Sequence, residues 1–227
     1  MSHRIEAVVF DMDGLMIDTE PIYKKALQQA AGEFGFLLSD DFVFTLIGLP
    51  NPACRSAIAD HLGDGFPLDA YWKRWPELWR KEAEENGIPK KPGLDELLSC
   101  LGGKGTPTAV ATSSSRPQTE FSLAASGLTF PFDHVVTGDQ IRNGKPAPDI
   151  YLEAARRLEV SPEHCLALED SENGVRAAHA AGMVTIMVPD LKQPSDEVRA
   201  AAFDVVESLV QVREQFCNGS AGRLTLQ

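Results

Sequence analysis

The chain has 227 residues, 43% of them hydrophobic and 24% charged, enough to bury a sizeable core and ordinary for a globular protein. Its 33 acidic and 21 basic side chains leave a net charge of −12. That acidic excess, spread along the chain, argues against a nucleic-acid polymer or an anionic membrane surface as the main partner.

Ala7-Val8-Val9-Phe10 is a short apolar run that predicts a buried strand, ending at Asp11-Met12-Asp13-Gly14. Glu20-Pro21 opens a helix, since proline is tolerated in a first turn, and Ile22, Ala26, Leu27, Ala30, Ala31 and Phe34 recur at helical spacing. A helical turn or two over 40–47, a loop over 48–52 and a helix over 53–62 follow. The next helix carries Tyr71, Trp72, Trp75, Leu78, Trp79 and Ala83. Their spacing predicts the buried face of a small helical bundle in preference to an aromatic wall for substrate. A linker rich in Pro, Gly and Lys over 87–93 closes this strand-free stretch.

From Leu94 the pattern alternates. Helix 94–101 leads to strand 106–111, helix 116–126, strand 134–136, helix 148–158, strand 165–168, helix 171–181 and strand 184–188. A last strand at 204–206 and a helix at 208–216 precede a frayed tail, 218–227. Such alternation implies right-handed β-α-β units and a parallel sheet. The expected fold class is α/β: a Rossmann-like parallel-sheet core from residues 1–16 and 88–227, with an all-helical cap domain over 17–87 inserted after the first strand.

No apolar run approaches the ~20 residues of a membrane helix. The first strand begins by Ile5, which leaves no room for a signal peptide. Cys54, Cys100, Cys165 and Cys217 form no C-x-x-C pair, so reduced buried thiols and a cytoplasmic location are expected. The scattered histidines argue against zinc.

In open parallel sheets ligands bind beyond the carboxyl ends of the strands. Asp11 and Asp13 end the first strand, Thr112-Ser113 end the strand at 106–111, and Glu169-Asp170 end the strand at 165–168. Lys145 comes from the loop Asn143-Gly144-Lys145-Pro146-Ala147-Pro148. Singly these are turn aspartates facing water, a helix N-cap, an acidic helix start and a surface lysine. Together they predict phosphoryl-transfer machinery. Two close carboxylates repel, and Mg2+, which takes one or two carboxylates with waters and phosphate oxygens, relieves the repulsion. Asp11 and Asp170 can hold Mg2+, Thr112 and the Ser113 amide can hold phosphate oxygens at a helix N-terminus, and Lys145 can neutralise both. Pro146 restricts the backbone of Lys145.

The order of these signatures, Asp11-Met12-Asp13-Gly14, Thr112, Lys145-Pro146-Ala147-Pro148-Asp149 and Glu169-Asp170-Ser171-x-x-Gly174, resembles the haloacid dehalogenase superfamily of aspartate-nucleophile phosphotransferases over residues 5–188. The helical insert resembles the cap of the superfamily's β-phosphoglucomutase-like branch, which includes many sugar-phosphate phosphatases. The resemblance implies Asp11 as nucleophile, Asp13 as general acid/base and Lys145 as their partner. It implies phosphate binding by Thr112, Ser113 and Lys145, and Mg2+ held by Asp11, the Asp13 backbone carbonyl and Asp170, with Glu169 bound directly or through water. Asp13 argues against dehalogenase chemistry, whose enzymes lack this second acid.

The expected function is a Mg2+-dependent phosphatase, a monomer acting on a small phosphorylated metabolite, by default a sugar phosphate, through an aspartyl-phosphate. A β-phosphoglucomutase-like mutase is the alternative. Such mutases carry a histidine on the first linker where this chain has Glu20, and Asp18-Thr19-Glu20 looks more like the phosphatases. A non-catalytic metabolite-binding protein is disfavoured, because a binder needs no paired acid. Specificity is expected in the cap, with Glu20, Arg55 and the Pro50-Asn51-Pro52 loop as candidates, while Arg116 is placed to meet a second anionic group.

Overall fold

The structure, a computed structural model, describes residues 3–47, 49, 51–217 and 224–226. In chain order the elements are β1 (His3–Ile5), β2 (Ala7–Phe10), α1 (Glu20–Glu33), α2 (Asp40–Leu46), α3 (Asn51–Leu62), α4 (Leu68–Asn86), α5 (Leu94–Lys104), β3 (Thr108–Thr112), α6 (Arg116–Ala125), β4 (His134–Thr137), α7 (Asp149–Leu158), β5 (Cys165–Glu169), α8 (Glu172–Ala180), β6 (Val184–Met187), α9 (Asp196–Ala201), β7 (Asp204–Val205), α10 (Leu209–Cys217) and β8 (Leu224–Leu226). They fall into two compact units, Met1–Asp18 with Pro89–Gln227, and Thr19–Ile88.

The first unit is an α/β fold built on a six-stranded sheet of order β4-β3-β2-β5-β6-β7, parallel throughout. Val9 of β2 lies opposite Ala109 of β3 and Ala167 of β5. From β2 the chain builds outward through β3 and β4, then returns to the other side of β2 with β5. The strand order therefore reverses at β2 and β5, the place where open α/β sheets bind ligands. Every residue of β2, β3, β5 and β6 is buried, which is why these segments read as continuous apolar runs.

Side chains alternate across the sheet. Ala7, Val9, Ala109, Ala111, Val136 and Ala167 pack with Ile150, Tyr151, Ala154 and Ala155 of α7 and with Ala177 and Ala178 of α8. Small residues on the strands let the helices approach closely. Alternation sends Phe10 to the opposite face, where it meets Phe132 edge-on at 6.1 Å. α5 buries Leu94, Leu97, Leu98 and Leu101 and packs against α10. Where the chain leaves and returns to this unit, the two segments run side by side: the Asp18 amide donates to Pro89 O (2.8 Å) and the Lys91 amide to Met16 O (2.9 Å).

The second unit is helical in all its described elements. α1 lays Ile22, Ala26, Ala30 and Ala31 against α4, whose inner face carries Tyr71, Leu78, Trp79 and Ala83. Tyr23 packs on Trp79 (5.3 Å between centroids) and Trp75 (5.7 Å). The bundle reading holds fully for buried Trp79, whereas Trp72 and Trp75 are half-buried at its edge.

Several details differ from the sequence reading. Residues 224–226 of the tail expected to be frayed form β8 and pair antiparallel with β1; the remainder of that tail, 218–223 and 227, lies outside the described residues. The helix α9 is too short to show an apolar period in the sequence. Cys100 is disulfide-bonded, against the expectation of reduced thiols throughout, while Cys54 and Cys165 are free. Bridging depends on Cα separation in space, which sequence spacing does not report. Among the described residues no helix is long and apolar enough to cross a membrane.

Leu101 is fully buried and Leu37 is 88% exposed. In urea titrations Leu101→Ala should lower the unfolding free energy by about 2–5 kcal/mol, and Leu37→Ala by no more than about 0.5 kcal/mol.

Candidate active site

Three neighbouring strands end side by side. β2 stops at Asp11, whose amide donates to Leu168 O of β5 at 3.0 Å. β3 ends in Thr112 and β5 in Glu169, with Asp170 next. After Asp11 the chain turns tightly: the Met16 and Ile17 amides both donate to Met12 O, and the Gly14 amide to Ile17 O. Gly14 has φ +86°, and a Cβ there would fall 2.3 Å from Asp170 Oδ2. Glycine serves at this position for both its backbone angle and its lack of a side chain.

The centre is a buried charge cluster. Lys145 Nζ donates to Asp11 Oδ1 and to Glu169 Oε1, each at 2.5 Å. The three side chains are 7%, 10% and 0% exposed. Tyr151 donates its hydroxyl to the same Glu169 Oε1 at 2.6 Å. Glu169 Oε2 accepts from the amides of Asp170 (3.1 Å) and Ser171 (3.2 Å) and from Ser171 Oγ (3.1 Å). Both Glu169 oxygens are thus committed to protein donors. Gly174 makes room for them: a Cβ there would come within 1.8 Å of Glu169 Oε1. The Lys145 loop is tied by Asn143, which donates its amide and its side-chain nitrogen to Asp149 Oδ1 at 3.2 and 3.0 Å.

The electrostatics follow. Burial pushes the Asp11 carboxyl up to about 7, with Lys145 opposing and Glu169 and Asp13 adding to the rise. Burial likewise raises Asp170 well above the usual carboxylate range, helped by the negative charges of Asp11 and Glu169. For Lys145 burial works against the ammonium, but Asp11 and Glu169 outweigh it, and its pKa is raised. Burial and the Glu169 charge also keep the Tyr151 phenol protonated, as a donor.

Asp13 stands on the β3 side. Ser114 Oγ donates to its Oδ2 at 2.9 Å and Thr112 Oγ1 approaches the same oxygen at 3.4 Å, while the Ser114 amide donates to Thr112 Oγ1 at 3.1 Å. Ser113 lies between, and its carbonyl oxygen would be 2.3 Å from a Cβ on Gly138. That glycine lets the end of β4 close against the 112–115 turn.

The structure thus gathers Asp11, Asp13, Thr112, Ser113, Lys145, Glu169 and Asp170 at one end of the sheet. Arg116 is turned to other work: its guanidinium donates to Val135 O on the edge strand β4 at 3.3 Å and pairs with Glu120. Glu20 and Arg55 belong to the helical unit. Arg55 joins α3 to α4 through Asp69 and lies over Trp72, 5.5 Å from the ring centroid. Glu20, at the start of α1, adds to burial in raising the Cys54 thiol. The Pro50-Asn51-Pro52 loop falls partly outside the described residues, and Asn51 and Pro52 open α3.

One oxygen of Asp11, Glu169 and Asp170 each lies within 4.8 Å of the others. Asp170 Oδ1 is buried with no hydrogen-bond partner. Such an orphan oxygen amid negative charge fits a hard cation. Asp11 and Asp170 have oxygens to offer, whereas Glu169 is already spoken for.

Ser114 and Tyr151 were not legible as site residues: Ser114 sits in a serine run, and Tyr151 occupies a core position in the α7 periodicity. Lys91 and Asp190 were missed as well. Lys91 donates to Asp190 Oδ1 at 2.6 Å and lies 3.7 Å from Asp18 Oδ1, and Asp190 adds to the rise of Asp170. Only the fold brings these distant segments together.

The profile of the haloacid dehalogenase-like hydrolases matches residues 8–188. A phosphorylated carbohydrates phosphatase of Thermotoga maritima is 36% identical over 182 residues, 80% of this chain and 84% of that protein. A probable pseudouridine-5'-phosphatase of Drosophila melanogaster is 35% identical over 222 residues, 94% of each chain. Among solved structures, one from Thermotoga maritima assigned as a beta-phosphoglucomutase superposes with a TM-score of 0.80 at 33% identity, covering 92% of this chain and 99% of the other.

Gly174→Ala should displace the Glu169 carboxylate and cost about 1–3 kcal/mol by overpacking. Gly103, exposed within α5 with no atom within 4 Å of where a Cβ would stand, provides the contrast: Gly103→Ala should stabilise by about 0.5–1 kcal/mol. Urea titration of both variants checks the pair.

Proposed function

The chain belongs to the haloacid dehalogenase-like hydrolases, as a phosphatase, and from that premise we propose that it hydrolyses a sugar phosphate through an aspartyl-phosphate on Asp11, with Mg2+. The observation that carries this reading is the Asp11 carboxylate gripped by Lys145 at 2.5 Å at the end of the strand whose next acid, Asp13, is held by Ser114.

Asp11 attacks phosphorus, and the ester P–O bond breaks as the Asp11–phosphorus bond forms. Asp13, protonated, gives its proton to the departing sugar oxygen. Asp13, now a carboxylate, takes a proton from water, whose oxygen attacks the aspartyl-phosphate, and inorganic phosphate leaves with Asp11 restored. Thr112 and Ser113 border the space where phosphoryl oxygens would lie. Lys145 offsets charge on the phosphoryl group, and in this acidic protein that local cation, not the overall field, draws an anion in. Mg2+ held by Asp11, Asp170 and the Asp13 carbonyl would supply further charge neutralisation at the transferring group. Glu169 holds Lys145 and stands within reach of the same ion, directly or through water.

A sugar phosphate is favoured because the relatives reported above bear the names phosphorylated carbohydrates phosphatase and probable pseudouridine-5'-phosphatase. The structural likeness to a protein assigned as a beta-phosphoglucomutase keeps the mutase as second reading.

A panel of phosphorylated metabolites with Mg2+ should release inorganic phosphate. Asp11→Asn should fall to background and Asp13→Asn by about 10²–10⁴-fold in kcat. EDTA should abolish turnover and added Mg2+ restore it. Dependence on a sugar bisphosphate would favour the mutase, and a complete lack of turnover on every ester with Mg2+ would overturn the enzyme assignment of this site.

A further inference from the structure

We propose that Tyr151 is a positioning residue of this site, its hydroxyl fixing Glu169 so that Glu169 in turn holds the Lys145 ammonium against Asp11. The proposal rests on the reading that the phosphoryl group reacts at Asp11.

Tyr151 occupies an inward position of α7. Its ring is fully buried in the cluster that contains Val9, Ala111 and Ala167. For packing alone a phenylalanine ring would serve, since a buried hydroxyl stabilises nothing unless it is hydrogen-bonded. Here it is bonded, and its acceptor is the oxygen that anchors Lys145: Glu169 Oε1 takes Tyr151 OH at 2.6 Å and Lys145 Nζ at 2.5 Å. The ring makes a second contact with the same cation, whose Nζ lies 5.1 Å from the ring centroid. One side chain therefore reaches Lys145 twice, directly by its face and through Glu169 by its hydroxyl.

The consequence is geometric. Glu169 Oε2 is held by Asp170 and Ser171. Oε1 has two partners, and of these only Tyr151 sits on a rigid helix. Lys145 is a flexible chain on a loop. Without the phenol, the anchor of Lys145 is restrained on Oε2 alone, and the carboxylate can turn with the ammonium it is meant to fix. Loss of a hydrogen bond to a buried charge is among the larger single deletions, and displacement of a catalytic group by an ångström is enough to slow a reaction many-fold.

The test is Tyr151→Phe, which keeps the ring. With the best phosphate ester of the panel, kcat should fall roughly tenfold or more while KM stays within about twofold. The melting temperature should fall by a few degrees, and by more in Tyr151→Leu, which also removes the ring. A second readout needs no turnover. The buried Lys145 ammonium should give a slowly exchanging 15N–1H signal, assigned by its loss in Lys145→Met, and Tyr151→Phe should broaden or shift it. An unchanged Lys145 signal overturns the proposal whatever the rate does, as does a kcat within twofold of the wild type. A wild-type protein inactive on every ester sinks the phosphatase reading, while the ammonium signal still decides the role of Tyr151.

Discussion

The Lys145 ammonium is shared between Asp11 and Glu169, and the chemistry of this site depends on that shared charge. Three carboxylates stand at the ends of two adjacent strands, out of bulk water, where burial first and neighbouring negative charge second raise the pKa of Asp11 and of Asp170. One cation cannot neutralise all three. Glu169 is satisfied by a full set of protein donors, and Asp11 by Lys145 in part. The imbalance is left at Asp170, one of whose oxygens has no partner. Removing either member of a buried ion pair leaves an uncompensated charge, so neither Lys145 nor Glu169 can be exchanged independently of the other.

The backbone around the cluster is shaped by the same need for proximity. β2 and β5 meet where the strand order reverses, the place where open α/β sheets bind ligands. The two glycines beside it work by absence. Gly14 leaves room for the Asp170 carboxylate and Gly174 for that of Glu169, and a methyl group at either position would fall inside another atom's radius. Small residues do comparable work below, where Ala109, Ala111 and Ala167 let α7 lie close enough for the Tyr151 hydroxyl to reach Glu169. Packing and chemistry are thus one problem here, since the helix that covers the sheet also supplies a donor to the site.

Much of this was legible in the sequence. Fully buried parallel strands announce themselves as apolar runs, so the placing of Asp11, Thr112, Glu169 and Asp170 at strand ends needed only the position of each run. Lys145 was legible through its neighbours, not through its own residue type. The misses have physical causes. Tyr151 falls at a core position, and periodicity reports burial without reporting where a hydroxyl points. Ser114 is one of three consecutive serines, and which of them faces Asp13 is a matter of backbone angle. Arg55 and Arg116 are specificity candidates whose nearby partners the sequence does not show: Asp69 and Trp72 for the one, a strand carbonyl and Glu120 for the other.

The amino-acid sequence by itself determined the fold class, the alternation of the central strands with their helices and the strand-end acids, because these follow from local periodicity and from residue types at turns. Only the tertiary structure decided which charges touch. It gave Glu169 to Lys145 and Tyr151, left Asp170 with an oxygen to spare, joined Lys91 to Asp190, and brought residues 224–226 back to β1. The reason is one of range. Secondary structure is set by neighbours a few residues away, whereas an ion pair between positions 11 and 145 exists only after the sheet has brought their strands and loops to the same end.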